Sequence, residues 1–278
     1  MINYIELSCS FVPPYPASEI AVVWLSELGY ESFIEEENVL KAYIPENSFK
    51  KDELNTLVNR FKNQEINCEF AITQIPAQNW NQVWEESFEP VLMPNLSIVA
   101  PFHGQEFRKN RVIEIEPKMS FGTGHHQTTY LMCSAMESLD LQNKEVLDMG
   151  TGTGILAINA IQLGAKHVTA VDIEAWSVEN TIENATRNKV FSLCAIEGDI
   201  DCVTESNFEV ILANINRNVL MNHMSAYAKL LISGGKLLLS GFFITDVPDL
   251  VEFSERYSFK LITKYDKENW ACLLLEKI

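Results

Sequence analysis

The densest chemical signal lies between Val146 and Gly154, where the chain reads V-L-D-M-G-T-G-T-G. Gly150, Gly152 and Gly154 let the backbone turn sharply after an apolar run and bring a ligand against the main chain. An apolar helical stretch follows at once, and its first turn offers unpaired N–H groups. Asp172 closes the run His167–Asp172 in V-D-I-E, 20 residues beyond Gly152. A carboxylate there can accept hydrogen bonds from both hydroxyls of a ribose. Asp199, in Glu197-Gly-Asp, stands where an adenine amino group can be met. Asn214 ends a further apolar run in Leu-Ala-Asn-Ile-Asn-Arg. An amide at that edge can accept a hydrogen bond from an amine and so orient its lone pair.

Two cofactor classes fit the glycine loop. From Gly152 the segment G-T-G-I-L-A satisfies the dinucleotide fingerprint, with Asp172 as its acidic residue. Three features favour S-adenosylmethionine over a nicotinamide. Asp148 sits two residues before the first glycine, a third glycine is in phase with the other two, and the sheet is expected to end in a hairpin. The surroundings of Asn214 are similar to the N-P-P-[YF] signature of amino-group methyltransferases, without its two prolines.

One more constellation precedes these, Ser120-Phe-Gly-Thr-Gly-His-His-Gln-Thr128-Thr129. Two glycines flanked by hydroxyls and imidazoles make a hydrogen-bonding loop ahead of a helix. His125 and His126 are candidate acid–base groups. No Cys, Asp or Glu stands near them at ligand spacing, so no metal site is expected. Thr128 is placed to cap the helix that follows.

The elements that must position these residues alternate between strand and helix, the rhythm of a doubly wound α/β sheet. Strands are expected at Glu145–Met149, His167–Asp172, Leu193–Glu197, Val210–Asn214 and Lys236–Ser240. Helices are expected at Ile155–Leu163, Trp176–Asn188 and Val219–Leu231. Phe259–Tyr265 and Trp270–Lys277 read as the terminal hairpin. Upstream, residues 1–75 read as βαββαβ, the order of a ferredoxin-like α+β domain. Its strands are Ile2–Phe11, Tyr30–Glu36, Val39–Ile44 (a hairpin about Glu37-Asn38) and Ile66–Ile75, with helices at Ala17–Leu28 and Phe49–Phe61. Residues 76–115 read as a linker with Trp80, Trp84 and Phe88 on one helix face, and 116–278 as the catalytic domain.

Composition narrows the partners. A net charge of −17 repels phosphate backbones at long range, so direct nucleic-acid binding is not expected; the acidity either attracts a basic partner or serves solubility. No apolar run approaches the length of a membrane span, and the N-terminus lacks the marks of a secretory signal. Cys9, Cys68, Cys133, Cys194, Cys202 and Cys272 form no C-x-x-C pair, which argues for free thiols in a reducing cytoplasm.

With these residues in view, the chain resembles the ribosomal protein L-eleven methyltransferase family. Trp80, Trp84, Phe88 and Pro90 match its W-x-x-x-W-x-x-x-F-x-P linker. Phe121-Gly-Thr-Gly, His126 and Thr128-Thr129 match its F-G-T-G-x-H-x-T-T loop. Asp148 with the three glycines, Asp172, and Ala213-Asn214-Ile215 match its cofactor motifs. Glu116-Pro-Lys-Met-Ser120 departs from the family's usual D-P-G-x-A, and His125 and Gln127 replace small or proline residues. The resemblance implies a Rossmann-like S-adenosylmethionine-dependent methyltransferase domain behind a small substrate-recognition domain. It implies a monomeric cytoplasmic enzyme acting on lysine and α-amino groups of the eleventh large-subunit ribosomal protein. The residues expected at the cofactor are Thr128, Thr129, Gly150, Gly152, Gly154, Asp172, Asp199 and Asn214, with Asn214 also catalytic. The competing readings are an RNA or DNA amino-methyltransferase, which shares Asn214, and a nicotinamide-dependent oxidoreductase, which shares the glycine loop and Asp172.

Overall fold

The computed structural model describes residues 3–36, 39–75, 88–118 and 121–278. The Glu37-Asn38 turn, Trp80, Trp84 and Ser120 therefore lie outside the described residues. The chain divides into two compact units, Met1–Phe88 and Glu89–Ile278.

The first unit runs β1 (Tyr4–Val12), α1 (Ala17–Glu27), β2 (Ser32–Glu36), β3 (Val39–Pro45), α2 (Lys51–Lys62), β4 (Asn67–Ile75). Its sheet has the order β2-β3-β1-β4, with every pairing antiparallel. On β1 the strict alternation of Ile5, Leu7, Cys9 and Phe11 puts all four side chains on the buried face. The two helices cover that face with Ala21 and Leu25 from α1 and Leu54, Leu57 and Phe61 from α2. This is the split βαβ arrangement that the strand order implied.

The second unit begins earlier than expected. Residues 89–115, read from sequence as linker, belong to it and carry a three-stranded sheet: β5 (Val91–Leu92), β6 (Leu96–Val99) and β7 (Arg111–Glu114). Ile98, Ile113 and Ile115 join the same core as Met132 and Ile158, so burial draws this segment into the domain. Strands of two to four residues are too short for their periodicity to register in the sequence.

The seven-stranded sheet that follows has the order β10-β9-β8-β11-β12-β14-β13. Its strands are β8 (Glu145–Met149), β9 (His167–Asp172), β10 (Leu193–Glu197), β11 (Phe208–Asn214), β12 (Leu231–Phe243), β13 (Phe259–Lys267) and β14 (Trp270–Lys277). β8 to β12 are parallel, and β14 is antiparallel to both its neighbours. The helices are α3 (Gln127–Met136), α4 (Ile155–Gln162), α5 (Ala175–Arg187), α6 (Arg217–Leu230) and α7 (Val247–Glu255). Alternate residues of the central strands feed two cores. Val146, Val168 and Val210 pack with α3, α4 and Ala185 of α5, while Leu147, Val171 and Ile211 pack with α6 and α7. Strands buried on both faces read as continuous apolar runs, as these do.

From β8 the chain winds outward through β9 and β10, then returns to β11 on the other side of β8. The strand order reverses between β8 and β11, and the carboxyl edge at such a point opens as a crevice. Among the described residues no helix is long and apolar enough to cross a membrane.

Candidate functional site

At that crevice the backbone after β8 folds back on itself. Gly152 lies at φ +57°, and a Cβ there would stand 2.2 Å from the carbonyl oxygen of Phe121, so only glycine fits. A Cβ at Gly150 would stand 2.2 Å from a methyl of Ile215. Both glycines thus hold main chain against neighbouring segments at the floor of the site. Gly154 begins α4 in the left-handed region and packs against Thr181, away from the crevice.

Asp172 ends β9 and its carboxylate braces this loop. Oδ2 accepts from the Gly152 N–H at 2.9 Å and Oδ1 from the Glu174 N–H at 3.1 Å. Each oxygen retains a further lone pair for a ligand. Asp148, beneath the loop, is fully buried; Thr151 Oγ1 donates to its Oδ2 at 2.8 Å, and Oδ1 has no partner among the described residues. Burial, helped by the charge of Asp172, pushes its carboxyl up to about 7.

The Phe121–Thr129 loop lies over the glycine loop. Thr153 donates its backbone N–H to Phe121 O at 3.0 Å and its hydroxyl to Gly122 O at 2.7 Å. From the other side, Asn184 of α5 donates to Thr153 O and accepts from Glu116 N–H, which fixes the strand-to-loop approach. The cap of α3 is His126 rather than Thr128: its Nδ1 accepts from the Thr128 N–H at 3.3 Å and lies 2.8 Å from Thr128 Oγ1. The imidazole can do this because its ring reaches the second N–H of the helix, leaving Thr128 inside the first turn. His125 instead lies within hydrogen-bond distance of Thr123 Oγ1 and Glu89 O. Among the described residues no three His, Cys, Asp or Glu side chains could hold a metal ion.

Two cavities meet here. The larger, about 320 Å³, is lined by Gly150, Gly152, Asp172, Asp199 and Asn214 together with Trp176 and His223. With Glu174 it carries three carboxylates, which suits a cationic ligand. The smaller, about 270 Å³, is walled by Phe121, His126, Thr128, Asn214, Gly241 and Trp270. His126 stands edge-on to Phe121 (centroids 5.2 Å apart) and to Trp270 (4.7 Å). Asn214 lines both cavities. Its Nδ2 is 3.5 Å from Thr129 Oγ1, while its Oδ1 is buried and unpartnered among the described residues. A buried carbonyl oxygen without a donor is costly unless a ligand supplies one. Asn216, two residues on, caps α6 by accepting from the Val219 N–H at 3.2 Å. Both asparagines of the motif line the two cavities, but only Asn216 also holds the start of the helix.

Of the eight residues expected at the cofactor, Gly150, Gly152, Asp172, Asp199 and Asn214 line the larger cavity and Thr128 the smaller. Thr129 is fully buried behind Asn214, and Gly154 lies behind the loop. Trp176, His223 and Trp270 line these cavities and were not singled out as candidates by the sequence. A lone His or Trp on an amphipathic element reads as ordinary packing.

Residues 18–278 match the family described as Ribosomal protein L11 methyltransferase (PrmA). Among relatives, Ribosomal protein L11 methyltransferase of Porphyromonas gingivalis is 42% identical over 252 residues, 90% of this chain and 87% of that protein. The protein of the same name from Bacteroides fragilis is 35% identical over 259 residues, 92% of each. A solved structure, ribosomal protein L11 methylase from Lactobacillus delbrueckii subsp. bulgaricus, superposes with a TM-score of 0.64 at 28% identity, covering 68% of this chain and 99% of that one. Glycine loop, Asp172, Asn214 and the Phe-Gly-Thr-Gly loop thus meet in one crevice of a fold these proteins share, and the chain belongs to the ribosomal protein L11 methyltransferase family.

Proposed function

We propose that this chain transfers methyl groups from S-adenosylmethionine to lysine and α-amino groups of large-subunit ribosomal protein L11. One observation carries the chemistry: the unpartnered Oδ1 of Asn214 at the junction of the two cavities. The family relationship carries the substrate, and it leaves the nicotinamide reading without support.

The residues present fit the cofactor. Gly150 and Gly152 line its cavity with main chain and hold the loop against Ile215 and Phe121, Asp172 offers acceptors to ribose hydroxyls, and Asp199 offers one to an adenine amino group. When bound, it supplies a methyl group on a positively charged sulfur, open to displacement by an amine. Gly154, by contrast, shapes the turn, and Thr129 acts through Asn214.

The chain's own task is to present a neutral nitrogen. Holding a lysine amine neutral near pH 7.5 costs about 4 kcal/mol, and an α-amino group costs far less. Phe121, His126 and Trp270 wall the smaller cavity and can pack along an aliphatic stem, so that the bound substrate completes the exclusion of water that meets this cost. Asn214 Oδ1 accepts a hydrogen bond from the amine and aims its lone pair, with the amide steadied by Thr129 Oγ1. Positioning supplies most of the effect, and no dedicated strong base is invoked.

On this reading the first unit recognises the ribosomal protein, and the −17 charge of the enzyme favours a partner with a basic surface. The enzyme works in the cytoplasm as a monomer without binding nucleic acid directly. Incubating ribosomal protein L11 with the enzyme and isotope-labelled S-adenosylmethionine, then mapping label by mass spectrometry, tests the proposal. Label on lysine and α-amino nitrogens is the expected result, and unlabelled protein would overturn it.

A further inference from the structure

His223 lies on α6 at the wall of the larger cavity, 7% exposed. Its Nε2 stands 3.1 Å from Asp199 Oδ1, and its Nδ1 stands 3.3 Å from the phenol oxygen of Tyr227 one turn further along the helix. Tyr227 is fully buried, and that burial, with the charges of Asp199 and Asp148, holds its phenol far above the ordinary value. The phenol therefore keeps its proton and can donate it to Nδ1. The imidazole then carries its own proton on Nε2, aimed at Asp199.

Asp199 itself is an exposed side chain at the mouth of the cavity. Its Oδ1 already accepts the Ile200 N–H at 2.7 Å. With His223 as a second donor, Oδ1 is occupied and the carboxylate plane is fixed. Oδ2, which makes no hydrogen bond among the described residues, becomes the oxygen offered to a ligand.

We propose that His223 is a positioning residue for purine recognition: the chain Tyr227–His223–Asp199 orients one carboxylate oxygen to select a 6-amino purine over a 6-oxo purine. The proposal rests on the reading of Asp199 as the adenine contact. A carboxylate accepts from an exocyclic amine and repels an exocyclic oxygen, so a fixed carboxylate discriminates where a mobile one can swing aside.

The test compares S-adenosylhomocysteine with S-inosylhomocysteine by titration calorimetry on the full chain. The readout is the ratio of their dissociation constants. His223→Leu is expected to reduce the wild-type preference for the adenosyl ligand about 3- to 30-fold, the range for one hydrogen bond to a charged group less its screening by solvent. His223→Gln, whose amide can still donate to Asp199, should keep more of the preference. Tyr227→Phe, which preserves volume, should lose part of it. Asp199→Asn, able to donate to a 6-oxo group, should shift the ratio towards the inosyl ligand. Melting temperatures of all four variants report folding. If Asp199→Asn shifts the ratio and His223→Leu does not, the positioning role is wrong. Equal weakening of both ligands by His223→Leu, with a lower melting temperature, would make His223 a packing residue and also overturn the proposal. If neither variant moves the ratio, Asp199 does not touch the purine, and the reading beneath the proposal fails with it.

Discussion

Thr153 Oγ1 donates a hydrogen bond to the carbonyl oxygen of Gly122 at 2.7 Å, joining the glycine loop to the Phe-Gly-Thr-Gly loop at a fully buried point. The two motifs are 31 residues apart in sequence, yet this bond and the Thr153 N–H to Phe121 O bond make them one surface. Thr153→Val keeps the shape and removes the donor, leaving a buried carbonyl unsatisfied. A loss of about 1–3 kcal/mol in stability is expected. Hydrogen exchange should quicken at residues 121–124 before it does elsewhere, while Thr153→Ser should restore wild-type behaviour. Unchanged exchange in the valine variant would show that the backbone bond alone holds the loops together.

Asp148 gives the site a pH signature. Its carboxyl is pushed up to about 7 by burial, against an ordinary value near 4. The native state then binds a proton more tightly than the unfolded chain does. The stability this group contributes is full below pH 4 and is lost as pH rises through 7. Asp148→Asn removes the titration while keeping an acceptor for Thr151 Oγ1. The variant should gain stability over wild type by on the order of 2–3 kcal/mol between pH 5 and pH 8. Denaturant unfolding at both pH values measures the gain, and a constant difference would mean that Asp148 ionises normally in the fold.

The central strands of the parallel sheet were legible because β8 and β9 are buried on both faces, and they occupy the ranges their apolar runs predict; β10, an edge strand that stays half-exposed, also falls at its expected range. The site residues at their ends followed from those boundaries. What escaped was non-local. Nothing in Trp270–Lys277 says that β14 inserts between β12 and β13, since that order is set by sheet pairing. α7 (Val247–Glu255) was missed because Pro248 sits in its first turn, where a proline also reads as a loop. His223 gave no signal, because its partner Asp199 is remote in sequence and meets it only across the crevice.

Asp172 has a double task, so its replacement should be more damaging than the loss of ligand contacts alone. Asp172→Ala removes acceptors for ribose hydroxyls and also frees the Gly152 and Glu174 N–H groups. Binding of S-adenosylmethionine should weaken roughly 10- to 1,000-fold, from two hydrogen bonds to a charged group partly replaced by water. Calorimetry showing an unchanged dissociation constant would remove Asp172 from the site.

The first unit has its own core, drawn only from residues between Ile5 and Phe70, and every residue lining the two cavities lies beyond residue 115. Deleting residues 1–88 should therefore spare cofactor binding to within several-fold. Methylation of ribosomal protein L11 should be abolished, because recognition is assigned to the missing unit. A truncated enzyme that methylates the protein at a near-normal rate would place recognition in the second unit.

Asn214 separates catalysis from binding. Its Oδ1 is buried without a partner, and it lines both the cavity assigned to the cofactor and the cavity assigned to the amine. An acceptor that meets the amine as its lone pair is committed stabilises the transition state more than the ground state. Asn214→Ala should accordingly lower turnover by on the order of 100-fold, the scale for one orienting hydrogen bond in a dry site. S-adenosylmethionine should bind within several-fold of wild type, because the glycine loop and Asp172 are untouched. Asn214→Asp keeps an acceptor but adds a negative charge beside Asp172, and should recover only part of the rate. A purely structural role makes the opposite forecast. Removing an unpartnered oxygen would then leave turnover per folded molecule intact, with any change confined to the melting temperature. Measuring turnover, cofactor affinity and melting temperature on one preparation of each variant decides between the two. If turnover survives in the alanine variant, the amine is aimed by another group, and Thr128 and His126 on the wall of the smaller cavity become the next residues to replace.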